Sequence, residues 1–340
     1  MVKLFLLGAT GWVGSAAAHT IAAAHPDYEY VVLVRSEIKA SEVKKYLPAH
    51  TRFVIGNFDS FDLIASEASA SDIVLNWASS DHDGLNNAIL AGLKRKGNQC
   101  YLIHTSGTGL LTYEDIKNNR EAKESSKVYD DWEGVGEVVG LSDDAPHMNV
   151  DRAILNAASE TPNIRTAIVC PPLIYGISSN KHTARERSAA RQYVVDILKR
   201  GKGFFISDGK ARWNTVHIND LAQLFLLLVE NATQGGGNAT WGQEAYYFAE
   251  NGEVVFGEFA TEVSRIAFEK GHISTLEMDR LTVEEGKQDA AFTTMMTLYN
   301  SRSKSIRARK LLRWEPVDIN IIEDITQNWR FSADEENPFF

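Results

Sequence analysis

Gly8-Ala9-Thr10-Gly11-Trp12-Val13-Gly14 follows the apolar run Val2-Lys3-Leu4-Phe5-Leu6-Leu7 and opens a helix-like stretch over residues 12–24. A strand that empties through three glycines into a helix lets backbone approach a pyrophosphate closely. Gly8 permits the tight turn, Gly11 removes the side chain where phosphates would arrive, and Gly14 allows the helix to pack close to the strand. The spacing is G-x-x-G-x-x-G, one residue longer in its first gap than G-x-G-x-x-G. Its strand–turn–helix setting, within the first residues of the chain, gives it weight that spacing alone lacks.

Outward from this turn, the first half alternates short β-rich runs with helical segments. Strands are predicted at 2–7, 30–34, 51–55, 72–77, 99–105 and 164–170, and helices at 12–24, 41–46, 59–68 and 83–96. That rhythm predicts an α/β fold, a doubly wound parallel sheet with helices on both faces. Residues 110–146 interrupt it with a polar stretch carrying Tyr113, Tyr129 and Trp132, read either as a surface excursion or as a lid over the cleft. After Gly176 the pattern is mixed: helical at 184–200 and 219–230, strand-like at 204–207 and 214–218, with a three-glycine turn at 235–237. The expected division is a dinucleotide-binding domain over 1–176 and a smaller mixed substrate-binding region over 177–340, with 214–230 returning to the first domain.

Composition narrows the function. The 340 residues carry 35 Lys and Arg against 45 Asp and Glu, a net charge of −10, which argues against nucleic acid as the main partner. The two cysteines, Cys100 and Cys170, lie at the edges of apolar runs and read as buried thiols of a reducing compartment. No apolar run reaches the length of a membrane span, and the N-terminus enters the first strand directly, so a cytoplasmic chain is expected. No metal-ligand pattern stands out.

Three further segments carry a resemblance. Pro171-Pro172-Leu173-Ile174-Tyr175-Gly176, Thr215-Val216-His217-Ile218-Asn219-Asp220-Leu221-Ala222 and Leu311-Leu312-Arg313-Trp314-Glu315-Pro316 occur in that order after the glycine turn. Together these resemble the extended short-chain dehydrogenase/reductase superfamily of NAD(P)-binding Rossmann proteins, which includes nucleotide-sugar epimerases, dehydratases and related reductases. Arg313 stands where the last signature has glycine. The resemblance implies that Gly8, Thr10, Gly11, Trp12, Val13 and Gly14 cradle the cofactor. It also implies that Asn57 and Phe58 lie beside its adenine, Ala78 and Ser79 line its middle, and Pro171 and Ile174 border the nicotinamide. At the end of the second strand an acidic residue would hold a ribose hydroxyl, whereas Arg35 offers a charged fork to a 2′-phosphate. NADP(H) is therefore expected over NAD(H), with Lys39 assisting.

The proton-transfer positions depart from the family pattern. Ser106, in His104-Thr105-Ser106-Gly107-Thr108, aligns with the family serine that holds the substrate oxygen; Thr105 and Thr108 are fallbacks. A literal Y-x-x-x-K occurs at Tyr113 and Lys117, but seven positions past Ser106 leave no room for the intervening loop, and it is set aside. The helix expected to carry the pair begins near Pro146, with Asp143 or Asp144 as cap. On that alignment His147 replaces tyrosine and Asp151 replaces lysine. Histidine titrates near neutrality unaided. Asp151, one helical turn on, would orient the imidazole or accept hydrogen bonds from the nicotinamide ribose.

The main expectation is an NADP(H)-dependent oxidoreductase acting on a carbonyl or alcohol of a small organic molecule. The catalytic set would be Ser106, His147 and Asp151. Two alternatives stay open: a redox-neutral sugar-nucleotide epimerase or dehydratase, with Arg212 near a phosphate, and a non-catalytic NADP-binding redox sensor or regulator. The expected partner is a small-molecule substrate rather than nucleic acid or membrane, with a homodimer left open.

Overall fold

The chain is described by a computed structural model over residues 1–334. Its strands are β1 (Lys3–Leu7), β2 (Glu29–Val34), β3 (Arg52–Ile55), β4 (Ile73–Asn76), β5 (Cys100–Thr105), β6 (Tyr129–Asp130), β7 (Ile164–Cys170), β8 (Leu173–Tyr175), β9 (Gly203–Ile206), β10 (Arg212–His217), β11 (Tyr246–Phe248), β12 (Glu253–Val255), β13 (Met278–Leu281) and β14 (Ser303–Lys304). Seven of them form a parallel sheet in the order β11-β7-β5-β4-β1-β2-β3. The strand order reverses around β1, which opens a crevice at the carboxyl ends of β1 and β4, where doubly wound sheets bind ligands.

β1 explains why the sheet is buried on both faces. Leu4 and Leu6 point into one apolar cluster and Phe5 and Leu7 into another, all fully buried. Each such side chain contributes roughly 1.5–3 kcal/mol by leaving water. The first helix, α1 (Trp12–Ala24), is alanine-rich, and its small side chains let a neighbour lie close. The helices that follow are α2 (Glu37–Val43), α3 (Phe61–Ala70), α4 (Asp83–Arg95), α5 (Tyr113–Lys117), α6 (Val135–Val139), α7 (Met148–Glu160), α8 (Ala189–Arg200), α9 (Ile218–Thr233) and α10 (Phe256–Glu269). Ala17, Ala18 and Ile21 of α1 share a core with Leu221, Leu224, Phe225 and Leu228 of α9.

Beyond β7 a second body forms from the sheet β12-β10-β8, the pair β13-β9, α8 and α10. Its core gathers Tyr193, Phe204, Trp213, Phe256 and Phe259. The chain then crosses back: β11 lies parallel to β7 as the seventh strand of the first sheet, a contribution the sequence reading leaves out. The 110–146 excursion is pinned to residues near 300. Asp115 accepts from the Asn300 backbone and amide N–H groups at 2.9 and 2.7 Å, and β6 pairs with β14. Arg313 has φ 55° after the helix Arg307–Leu312, a left-handed cap that explains the glycine in the family signature. No helix among the described residues is long and apolar enough to cross a membrane.

Candidate active site

The glycine turn is built by close backbone packing. Gly8 has φ +87°, and a Cβ there would lie 2.6 Å from the Ala78 nitrogen at the end of β4. A Cβ on Gly14 would lie 2.2 Å from the Gly8 carbonyl oxygen, so α1 can approach β1 only because Gly14 is bare. Gly11 differs: its Cβ would meet only that oxygen, at 3.3 Å, and its outer side is open. Gly11 is also the N-cap of α1, with no capping side chain and no acidic residue in the first turn. The first-turn N–H groups and the positive end of the helix therefore remain available to an anion, which is what a dinucleotide pyrophosphate requires. The cradle fits the cofactor that the fold implies.

Around the cradle, side chains mostly serve packing. Trp12 is buried against Ala16, Ile218 and Ala222, so only its backbone faces a phosphate. Thr10 and Val13 are half-buried. Ile174 pairs with Val216 across β8 and β10, and the Pro171 carbonyl accepts from the Thr108 N–H at 3.0 Å. The Ala78 N–H donates to Asn76 Oδ1 at 3.0 Å, and Ser79 Oγ accepts from the Asp81 N–H at 3.2 Å. The Phe58 ring meets His82 edge-on, 5.3 Å between centroids. Asn57 Oδ1 accepts from the Asp59 N–H and Ser60 hydroxyl at the entry to α3, which leaves its amide nitrogen for a base edge.

The proton-transfer region departs from the sequence expectation in a specific way. His147 is not a helix residue; it caps α7 with φ 67°, left-handed, and the helix starts at Met148. That backbone turn swings the imidazole away from Asp151. Nδ1 lies 2.6 Å from Oδ1 of Asp81, a residue the sequence reading did not single out, while Nε2 sits over Gly107 and Gly109. Cβ atoms on those glycines would lie 3.2 and 3.1 Å from Nε2, so the bare loop after β5 makes the imidazole's berth. The hydrogen bond with His147 holds the Asp81 carboxyl below its usual range. Asp81, rather than Asp151, orients the imidazole.

Asp151 instead turns inward, fully buried. Its Oδ2 accepts from the Ser106 hydroxyl at 2.6 Å and the Tyr246 hydroxyl at 2.7 Å; its Oδ1 lies 3.7 Å from His104 Nε2. It cannot reach a nicotinamide ribose from there, which corrects the second role expected of it. Burial pushes the Asp151 carboxyl up to about 6 and the His104 imidazole down to about 3. These shifts oppose each other in stability. The folded state keeps the Asp151 proton between about pH 4 and 6, so that contribution is full below pH 4 and is lost as pH rises through about 6. Asp131, also raised to about 6 by burial, acts in the same sense. His104 stays neutral while the unfolded chain protonates below about 6.5, so its contribution is lost as pH falls. Asp151→Asn is therefore expected to make the protein more stable at pH 7.5 relative to pH 4 than the wild type is. The change is about 3 kcal/mol in that difference, from roughly two pKa units. Urea unfolding at both pH values checks it, and an unchanged difference would refute it.

The sequence-level alternatives also find places. Tyr113 and Lys117 lie on α5, with Nζ 5.8 Å from the ring centroid, beside a surface cavity whose lining includes neither Ser106 nor His147. Arg212 is engaged by Glu124 at 2.8 Å and Glu253 at 3.2 Å, and so ties the excursion to the second body. His217 Nδ1 is 3.2 Å from Asp318, and its ring fills the space that a Gly176 Cβ would need. A cavity of about 480 Å³ opens beside Trp12 and Gly176, lined by Lys181, Arg185, Arg191 and Arg330 with Glu186.

Fold and cradle define an NAD(P)-binding Rossmann protein. The chain belongs to the epimerase/dehydratase superfamily: residues 146–241 match the NAD dependent epimerase/dehydratase family. It is 34% identical over 333 residues to "Oxidase ucsJ" of Acremonium sp, a match covering 95% of each chain. Among solved structures it resembles DesIV, a dTDP-glucose 4,6-dehydratase from Streptomyces venezuelae with NAD and TYD bound. The TM-score is 0.66 at 15% identity, covering 96% of this chain and 95% of that one. It also resembles UDP-glucuronic acid 4-epimerase from Bacillus cereus in complex with UDP-glucuronic acid and NAD. There the TM-score is 0.62 at 12% identity, covering 95% and 96%.

These findings overturn the expectation of NADP(H): the matching family is described as NAD dependent, and both structures hold NAD. Arg35 is exposed at the end of β2, and Lys39, its expected helper, is ion-paired with Glu42 at 2.7 Å. Arg35→Ala is accordingly expected to change NAD affinity by no more than about twofold, the range of an ordinary surface substitution. Calorimetric titration checks this; a tenfold loss would restore Arg35 to the site.

Proposed function

We propose that the chain is an NAD(H)-dependent enzyme that interconverts alcohol and carbonyl at one carbon of a small hydroxylated substrate, in a redox-neutral cycle of the epimerase/dehydratase kind. NAD, when bound, supplies hydride exchange at that carbon. The backbone of residues 8–14 would hold its pyrophosphate, with Phe58 and Asn57 at the adenine end, Ala78 and Ser79 along the middle, and Pro171 and Ile174 toward the nicotinamide.

The observation that carries the reading is the His147–Asp81 pair over Gly107 and Gly109. An ionised Asp81 accepts from Nδ1–H, which leaves the Nε2 lone pair to take a hydroxyl proton and the imidazolium to return it. No lysine is needed, because the imidazole takes and returns the proton through its own ring nitrogen. The strap over α1, in which Asn180 Nδ2 donates to the Ser15 carbonyl and the Ala184 N–H to Ser15 Oγ, supports retention of the cofactor through a cycle. Lys181, in the cavity beside Trp12 and Gly176, favours a substrate with an anionic substituent. Engagement of Arg212 by two glutamates speaks against a diphosphate at that position.

A second reading, net oxidation with release of the carbonyl product, is favoured by the relative named as an oxidase. A panel of hydroxy acids and polyols, incubated with NAD-loaded protein and followed by mass spectrometry and absorbance at the NADH band, separates the two. Product without accumulating NADH is expected; NADH rising in step with product would establish net oxidation instead. Tight NAD binding with no product from any compound would overturn both and favour the non-catalytic regulator.

A further inference from the structure

Ser106 is the residue expected to meet the substrate oxygen, and its hydroxyl proton is already committed. Ser106 Oγ donates to Asp151 Oδ2 at 2.6 Å, and Tyr246 donates to the same oxygen from the other side. An ionised carboxylate only accepts, so both hydroxyl protons must point at it.

The third neighbour fixes this arrangement. Asn76 Oδ1 accepts from the Ala78 N–H, so the Asn76 amide nitrogen faces His104 Nδ1 at 3.1 Å. Nδ1 is then the acceptor of a neutral imidazole, and its proton sits on Nε2, aimed at Asp151 Oδ1. Those two atoms, 3.7 Å apart and fully buried, are each without a hydrogen-bond partner. The hydroxyls of Ser106 and of Tyr246 on β11 thus converge on one carboxylate oxygen, while His104 of β5 faces the other at 3.7 Å.

We propose that Asp151, packed between Tyr246 and His104, is a positioning residue that holds the Ser106 hydroxyl proton inward, so that Ser106 meets the substrate as a hydrogen-bond acceptor and selects its hydroxyl form over its carbonyl form. The inference rests on the reading of the His147 cleft as the reaction site. A hydroxyl donates to a serine lone pair; a carbonyl cannot, and its oxygen would face another acceptor. Loss of one such hydrogen bond in a buried site corresponds to roughly a tenfold difference in affinity.

Asp151→Asn reverses the device. Of the two amide orientations, the one that lets Oδ1 accept from His104 Nε2–H turns the NH₂ group toward Ser106 and Tyr246. Both hydroxyls must then accept from it, and the Ser106 proton turns away from Asp151, toward the cleft or toward the neighbouring Cys170 sulfur. Neutron diffraction from crystals of the NAD-loaded full chain reads the direction without any substrate. The deuterium on Ser106 Oγ is expected between Oγ and Asp151 in the wild type and directed into the cleft in Asp151→Asn. Binding of 4-fluoromandelate and 4-fluorobenzoylformate, an alcohol and its carbonyl counterpart that both carry a carboxylate, followed by fluorine NMR, reads the consequence.

The wild type is expected to bind the alcohol about tenfold tighter, Asp151→Asn to reverse the preference, and Ser106→Ala to bind both alike. Tyr246→Phe, which leaves the Ser106–Asp151 bond in place, keeps the alcohol preference and controls for a merely structural effect. An outward deuterium in the wild type overturns the inference and leaves the reading of the cleft intact. An inward deuterium with an unchanged preference in Asp151→Asn overturns the selecting role. An inward deuterium with neither compound bound overturns that role together with the assignment of the cleft.

Discussion

His147→Phe is expected to lower turnover by roughly 10²- to 10⁴-fold, the range for removing a general acid–base group, while NAD affinity stays within about twofold, since no cradle residue is touched. Phenylalanine keeps the ring that fills the berth over Gly107 and Gly109 but has no nitrogen to take or return a proton. Asp81 loses its partner; its side chain is 58% exposed, so water solvates the freed carboxylate and the fold bears little cost. A fall in kcat with an unchanged melting temperature separates chemistry from stability. Asp81→Asn should fall between the two, because the amide can hold the ring in place but no longer stabilises the imidazolium. Full turnover by His147→Phe on a compound that the wild type converts would remove His147 from the mechanism.

Gly14→Ala is expected to produce the second large effect, through backbone geometry rather than chemistry. The added methyl would meet the Gly8 carbonyl oxygen at 2.2 Å and its carbon at 2.8 Å, and neither is a side chain that can turn aside. Either α1 lifts from β1 or the turn opens, at a cost of about 1–3 kcal/mol, as for other overpacked sites. The misplaced first-turn N–H groups should weaken NAD binding by roughly a hundredfold, ~2.7 kcal/mol. Gly11→Ala is the informative contrast. Its methyl meets one oxygen at 3.3 Å and otherwise points into open space. It should leave the melting temperature nearly unchanged and still weaken NAD binding, because it occupies the space where phosphates approach. Equal effects of the two substitutions on stability and binding would mean that Gly11 is structural too.

Much of the fold is legible from local pattern. The apolar runs of β1, β2, β4, β5 and β7 are buried on both faces, and continuous hydrophobicity reports that directly. β11 escapes the same reading because it is three residues long and sits beyond the second body, so only its pairing with Ile168, Val169 and Cys170 makes it a strand of the first sheet. Arg35 illustrates a different limit. Its charge is local information, but whether a strand-end cation faces a ligand depends on how Lys39, Glu42 and solvent share the surface around it. α7 starts two residues beyond the Pro146 that suits a first helical turn, because left-handed backbone at His147 leaves no trace in residue type.

What the chain alone determined is the parallel sheet, the bare turn at residues 8–14 and the placement of Ser106, His147 and Asp151 beyond β5 and at the head of α7. These follow from side-chain periodicity and from the steric freedom of glycine, which act over a few neighbouring residues. Only the tertiary structure decided who partners whom. His147 takes Asp81, 66 positions away, while Asp151 takes Ser106 and Tyr246, 45 and 95 positions away. A proton's direction depends on which acceptor lies within hydrogen-bond reach, and that distance exists only once the chain has folded.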